Sequence, residues 1–362
     1  MLITTNKTIG ELEQIKNALP EAKKLLFDRY FRVDTTTGKL TAPAAMHDWI
    51  AKNFGSLAKV ENQQIVKVTN LLTLEGALYN ELRASRPMDL GVADEVRQVI
   101  ASGTGDPFCK VEEGTPADTF GRVKGSYATT ASNIAKYDGY HGLVVFNEHN
   151  PLMVHRDAIT DYFETALEWA HRAHTEDPAA KYYFFMWNCL WKSGASIVHG
   201  HAQMTLSKGM HYPKVEALRR VWAQYKQQYN GTCYFYDLFQ IHQSLNLAWE
   251  WAGGIKGMAY LTPIKEKEVI LIAPKPGASL YHAVHAVLES YMKLGVTSFN
   301  VALYLPPLGP TEEDWHGFPA LVRLVDRGDP NNKTADFGAM ELYAASVISS
   351  DPFRLAEHIT QH

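Results

Sequence analysis

Cysteine is scarce in this 362-residue sequence. The three copies, Cys109, Cys189 and Cys233, are odd in number and widely spaced, which argues against a secreted disulfide framework. Long apolar runs are missing as well. The longest, around residues 182–191, is interrupted by Asn188 and is too short to span a bilayer. Neither sign of charge dominates: 35 Lys and Arg stand against 39 Asp and Glu, a net charge of −4. No global basic field exists to hold nucleic acid by counterion release, so any phosphate must be bound at a local site. The first 24 residues, MLITTNKTIGELEQIKNALPEAKK, contain neither an apolar signal core nor a small-residue cleavage site. A soluble cytoplasmic protein is the expectation. With 46% hydrophobic and 20% charged residues, the composition is that of a folded globular chain. Its length fits two domains, or one large domain of two similar halves.

Residues 9–30 and 44–58 have helical spacing and many polar side chains, and read as surface helices of an N-terminal extension. Residues 63–70 alternate like a strand. Strands are expected at 128–133, 141–146, 181–188 and 197–206, with a YDGY turn at 137–140 and a helix at 156–176. An amphipathic helix at 213–229 opens with Pro213. By element order the second half is expected to repeat the first: a strand pair at 257–264 and 268–274, a helix at 279–294, a strand at 298–305, then WHGFPALVRLV at 315–325. The expected parts are an N-terminal extension (1–100), a first half (101–235) and a second half (236–362).

The segment FFMWNCLWKSGASIVHGHAQMTL (184–206) carries chemistry. On a strand, side chains alternate, so His199, His201, Gln203 and Thr205 are expected on one face, with the small Gly200 and Ala202 behind. Upstream, Lys192-Ser193-Gly194-Ala195-Ser196 is a small-residue turn whose backbone N–H groups could approach an anion, with Lys192 and Ser196 as added donors. A neutral imidazole is a competent nucleophile toward an activated phosphate and would form a phosphoramidate. A second imidazole can orient the substrate or protonate the leaving group. Gln203 cannot act as a general base, so water is poorly activated and transfer to a bound acceptor is favoured. A His-x-His also opens metal-dependent amidohydrolase barrels, but there it lies near the N-terminus of a long βα series, which is absent here.

SGASIVHGHAQ resembles the active-site strand of the histidine-triad superfamily. Its His-x-His-x-Gln form resembles the branch of galactose-1-phosphate uridylyltransferases and diadenosine tetraphosphate phosphorylases. Asn188, Gly194 and Ser196 match family positions, and residues 131–152 resemble its strand–turn–strand. The resemblance spans most of residues 100–362. It implies an α+β fold of two similar halves, each an antiparallel sheet with packed helices, of which only the first keeps the catalytic residues. WHGFP retains one histidine, His316, as a trace. The resemblance also implies that His201 carries the nucleotidyl group, that His199 is the first motif histidine, and that Gln203 contacts the phosphate of the intermediate. Asn188, Lys192, Ser193, Gly194, Ser196 and Asn133 are the remaining candidates for nucleotide or phosphate binding.

Uridylyltransferases often bind zinc or iron through a Cys-x-x-Cys pair, a histidine after the first strand pair and the first motif histidine. The matching positions are Asp106, Cys109, His149 and His199. The segment reads DPFC, so an aspartate replaces one thiolate, and a mixed structural zinc site stays open. No cofactor is expected for the chemistry itself. The expected function is nucleotidyl transfer from a nucleotide sugar to a sugar 1-phosphate or inorganic phosphate. The alternatives are phosphorolysis of a dinucleoside polyphosphate and, more distantly, nucleotide binding without catalysis. Small nucleotides are the expected partners of a monomer or homodimer; nucleic acid and membranes are not.

Overall fold

A computed structural model describes residues 7–85, 95–332 and 337–361. The N-terminal part is more than a set of surface helices. After helix α1 (Glu21–Tyr30), strands β1 (Phe31–Lys39), β2 (Asn62–Asn70) and β3 (Gly76–Tyr79) form an antiparallel sheet. The β1 segment DTTTGK lacks a clean apolar alternation, which is why its strand character is not legible in the sequence.

A second sheet holds β4 (Ala128–Ser132), β5 (Tyr140–Phe146), β6 (Tyr182–Cys189), β7 (His201–Ser207), β8 (Ala248–Trp251), β9 (Ile255–Ala259), β10 (Glu266–Ala273), β11 (Phe299–Tyr304) and β12 (Ala320–Asp326). Its spatial order is β4-β5-β7-β6-β11-β12-β10-β9-β8, with every neighbouring pair antiparallel. The order β4-β5-helix-β6-β7 recurs as β9-β10-helix-β11-β12. The resemblance implies a separate sheet for each half. Instead, β6 and β11 pair edge to edge, from Phe299 opposite Cys189 to Tyr304 opposite Phe184. That pairing satisfies both strands' backbone groups and joins the halves into one nine-stranded sheet.

Helix α2 (Arg156–Glu176) buries Ile159, Phe163, Ala166, Ala170 and Ala173, a stripe at helical spacing. It lies beside α5 (Ala278–Lys293), with Phe163 and Tyr281 stacked at a centroid distance of 4.7 Å. Between them in the chain come α3 (Pro213–Gln228) and α4 (Tyr234–Ser244). Helix α6 (Pro352–Gln361) ends the described chain. Strand β13 (Ser346–Ile348), just before α6, pairs in parallel with β3 and completes the N-terminal sheet. That sheet is tied to the second half by Tyr79 Oη donating to the Leu261 carbonyl (3.0 Å) and by Arg323 Nη1 on Glu75 (2.7 Å).

Close packing behind the first half demands glycine at 142. A Cβ there would lie 2.6 Å from Trp169 Cε2, and Trp169 is itself held by its indole N–H on Asp118 Oδ2 (2.7 Å). Gly142→Ala is expected to cost about 1–3 kcal/mol through overpacking, read as a lower urea midpoint.

A second expected outcome concerns acid. His242 on α4 is fully buried; its Nδ1–H donates to the Leu238 carbonyl (2.8 Å), and its Nε2 accepts from the Leu261 N–H (3.3 Å). Burial lowers its pKa from 6.5 to about 4. A proton on Nε2 would face the Leu261 N–H. Between the two values the unfolded chain binds more protons than the folded one. Stability is therefore complete above about pH 6.5 and falls as pH drops toward 4, by about 1.4 kcal/mol per unit from this group. Urea unfolding at stepped pH should show this slope, reduced by about one proton in His242→Gln. Equal slopes would remove His242 as the cause.

Candidate active site

Strand β7 begins at His201, not at Ile197, and all seven of its residues are buried. His201, Gln203 and Thr205 share one face, opposite Val145, Leu143 and His141 of β5. His199 precedes the strand and belongs to a loop. The expected alternation therefore starts one step later than the sequence reading had it. Gly200 explains the break. Its carbonyl accepts from the Phe146 N–H and its N–H donates to the His149 carbonyl, while a Cβ there would lie 2.6 Å from the Phe146 ring.

His201 is 5% exposed. Its Nδ1–H donates to the His199 carbonyl at 2.8 Å, which leaves Nε2 as the lone-pair nitrogen. Burial pushes its pKa below the ordinary histidine value. The ring of Phe108 stands edge-on to it at a centroid distance of 5.1 Å.

The orientation of Gln203 follows from its neighbours. The Tyr137 N–H donates to His141 Nδ1 (3.0 Å), so neutral His141 carries its proton on Nε2 and gives it to Gln203 Oε1 (2.9 Å). Burial lowers the His141 pKa and favours that neutral form. With its carbonyl occupied, Gln203 has its NH2 left to donate.

The 192–196 turn is used mostly by itself. Lys192 Nζ donates to the Asn332 carbonyl (2.9 Å). Ser193 is buried, and its hydroxyl lies 2.7 Å from the Cys189 carbonyl and 2.8 Å from that of Leu190. The N–H groups of Ser193, Gly194 and Ala195 bond to the carbonyls of Leu190 and Trp191. Gly194 supplies the left-handed φ of 101° that closes this turn, and Gly194 and Ser196 are exposed. Buried Leu190 holds φ 64°, ψ 171°, a strained conformation kept by the bonds around it. Asn133 Oδ1 accepts from the Ala135 N–H, and its Nδ2 lies 3.3 Å from His141 Nε2. His316 is exposed, and its N–H donates to Asp314 Oδ1 (2.7 Å).

Asp106, Cys109, His149 and His199 converge, with one ligand atom from each within 4.8 Å of the others. His199 Nε2 lies 2.8 Å from the Phe146 carbonyl and His149 Nε2 lies 2.9 Å from the Ile100 carbonyl. Both rings thus carry their proton on Nε2, and their Nδ1 lone pairs face each other at 3.1 Å. Cys109 Sγ is 3.5 Å from both Nδ1 atoms, and Asp106 Oδ1 is 3.5 Å from that of His199. Asp106 Oδ2 is buried without a hydrogen-bond partner. Two facing lone pairs, a thiol and an orphaned carboxylate oxygen are unfavourable alone and fit a shared cation. Imidazole nitrogens held through backbone carbonyls are the usual outer arrangement of zinc or iron ligands.

Sequence reasoning missed His141, Phe108, Asn300 and Arg327. His141 opens the strand expected at 141–146, but its partner Gln203 is 62 residues away. Asn300 and Arg327 come from the second half, where the resemblance implies no catalytic residues. Asn300 Nδ2 donates to Asn188 Oδ1 (2.6 Å), and Arg327 Nη1 donates to Asn300 Oδ1 (2.6 Å).

Neither a protein-family model nor a curated protein matches the sequence. Solved structures do. An ADP-glucose phosphorylase from Arabidopsis thaliana, with bound ADP-glucose, is similar over 80% of this chain and 96% of its own (15% identity, TM-score 0.62). A GalT-like protein from Arabidopsis thaliana matches over 71% and 92% (15% identity, TM-score 0.56). A uridylyltransferase matches over 68% and 88% (16% identity, TM-score 0.55). The fold of this chain is thus the one shared by these three solved structures.

Proposed function

We propose that this protein transfers a nucleoside monophosphate from a nucleotide sugar to a phosphate acceptor through a covalent nucleotidyl-His201. The observation that carries this reading is the His201 imidazole: neutral, its Nδ1–H given to a carbonyl, its Nε2 lone pair on the same face as the donor-presenting Gln203 amide. His201 Nε2 attacks the α-phosphorus. The N–P bond forms as the P–O bond to the leaving phosphate breaks, and that electron pair departs on the oxygen. The ring gains positive charge, which the His199 carbonyl offsets through the Nδ1–H bond, a role a carboxylate fills in serine hydrolases. The Gln203 NH2 donates to the developing negative charge on the phosphoryl oxygens. An oxygen of the acceptor phosphate then attacks the same phosphorus, and the electron pair returns to Nε2. The nearest β5 and β7 partners on this face are Val145, Leu143 and Gln203. None can deprotonate water, which favours transfer over hydrolysis.

Asp106, Cys109, His149 and His199 would hold a zinc or iron ion. A bound ion would contribute structure, with the His199 ring held in place and with it the carbonyl that orients His201. The acceptor is a sugar 1-phosphate or inorganic phosphate; the fold similarity to an ADP-glucose phosphorylase supports the latter without fixing the base.

The test is intact mass after mixing with ADP-glucose, UDP-glucose, GDP-sugars and diadenosine tetraphosphate, quenched in alkali because a phosphoramidate is acid-labile. A gain of one nucleoside monophosphate is expected, and the donor that gives it identifies the base. A gain from diadenosine tetraphosphate alone would move the donor class to dinucleoside polyphosphates. No gain from any donor would defeat the covalent reading.

A further inference from the structure

Two relays of hydrogen bonds end at carboxamides on the His201 face of the sheet, where Gln203 lies opposite Met186 and Asn188 follows two residues further along β6, and both have a fixed direction. The first runs from the Tyr137 N–H through His141 to Gln203 Oε1. The second starts on the other half. Arg327, immediately after β12, can only donate. Its Nη1 lies 2.6 Å from Asn300, so the atom it meets is Oδ1. Asn300 Nδ2 then donates to the Ser193 carbonyl (3.0 Å), itself acceptor-only, and to Asn188 (2.6 Å). Both ends agree, so the Asn300 amide has one orientation. Asn188, directly opposite Asn300 in the β6–β11 register, must present Oδ1 to it. Its Nδ2 is thereby turned toward the 193–196 turn, where it lies 3.9 Å from the Cβ position of Gly194.

We propose that Arg327 and Asn300, from the half without the histidine pair, are positioning residues that lock the Asn188 NH2 toward the transferring phosphoryl group. Asn188 and Gln203 then form a pair of polarised donors, each with its carbonyl occupied by a donor relay. A carboxamide free to rotate would offer its oxygen to an anion half the time; these two are set as donors before substrate arrives. The second half thus supplies part of the anion site through the β6–β11 junction. The inference rests on the reading of the His201 face as a phosphoryl site.

Asn300→Asp tests it with almost no change in shape. Aspartate still accepts from Arg327 but cannot donate, so the Asn188 amide turns round to donate to it and presents its oxygen to the anion. Binding of AMP, UMP and GMP is measured by calorimetry against adenosine, uridine and guanosine, with the nucleotidylation rate alongside. The wild type is expected to prefer the monophosphate of its base over the nucleoside. Asn300→Asp should lose about tenfold or more of monophosphate affinity, the order for one hydrogen bond to a charged group, with nucleoside affinity unchanged and a lower melting temperature, since the Ser193 carbonyl loses its Asn300 donor. Asn300→Ser, which cuts the relay without reversing it, should fall between. Equal loss for nucleoside and monophosphate would make Asn300 merely structural and overturn the proposal. So would unchanged monophosphate binding in Asn300→Asp, or a wild type with no preference for the monophosphate. If the preference exists and depends on Asn300 but no adduct forms on His201, the relay stands and the transferase reading falls.

Discussion

His201→Ala is expected to abolish the covalent adduct and to lower turnover by roughly 10⁴-fold or more, the order seen when a covalent nucleophile is removed. The reason is geometric. His201 is 5% exposed and fixed by its bond to the His199 carbonyl, so no other described side chain on the β7 face offers a lone-pair nitrogen: Gln203 is an amide and Thr205 a hydroxyl. Gln203→Ala should be milder, about 10²-fold, because it removes one donor and leaves the nucleophile. It also leaves the His141 Nε2–H without its acceptor in a buried site. The two variants therefore separate. His201→Ala should show no adduct at any time, whereas Gln203→Ala should form it slowly and to completion. Turnover near the wild-type rate in His201→Ala would show that the phosphoryl group is transferred directly between substrates.

The local elements of the first half were legible because their patterns are strong. The helix at 156–176 has an unbroken apolar stripe, and YYFFMWNC is a strand in any setting. The His201-x-Gln203 part of the motif is legible for the same reason: the chemistry needs both side chains on one face of β7. Two aspects were not. The placement of His199 outside β7 depends on the contact of Gly200 with the Phe146 ring, which no spacing rule contains. The contributions of the second half depend on β6 pairing with β11, a choice between strand edges that both sequences would satisfy alone. Once that pairing exists, Asn300 meets Asn188 and Arg327 reaches the turn, although 112 residues separate the two asparagines. The N-terminal sheet was hidden for a related reason: its fourth strand, Ser346–Ile348, comes from the other end of the chain.

Metal removal carries the second large expected effect. The protein should purify with about one zinc or iron per chain, and chelation should lower its melting temperature. A metal present at a thousandfold excess over its dissociation constant adds about 4 kcal/mol to stability. For a chain of this length that corresponds to about 5 °C. The loss falls on particular atoms. Without a cation, the Nδ1 lone pairs of His149 and His199 face each other at 3.1 Å beside the orphaned Asp106 oxygen. One ring must rotate or take up a proton, and rotation breaks a backbone tie at Ile100 or Phe146. Displacement of His199 moves the carbonyl that orients His201, so nucleotidylation should slow together with metal loss, even well below the melting temperature. Cys109→Ser and Asp106→Asn test the ligand set separately. Serine keeps the shape at 109 but is a poor ligand for zinc or iron, so metal content should fall sharply. The Asp106 change weakens the site while keeping its Oδ1 available to the N–H groups of Phe108 and Cys109 that it caps. Full metal content in both variants would remove these two residues from the ligand set. A wild type that holds no metal and whose melting temperature is unmoved by added zinc or chelator would leave the four side chains as a hydrogen-bonded cluster, with the proton between the two imidazoles in the place assigned to the cation.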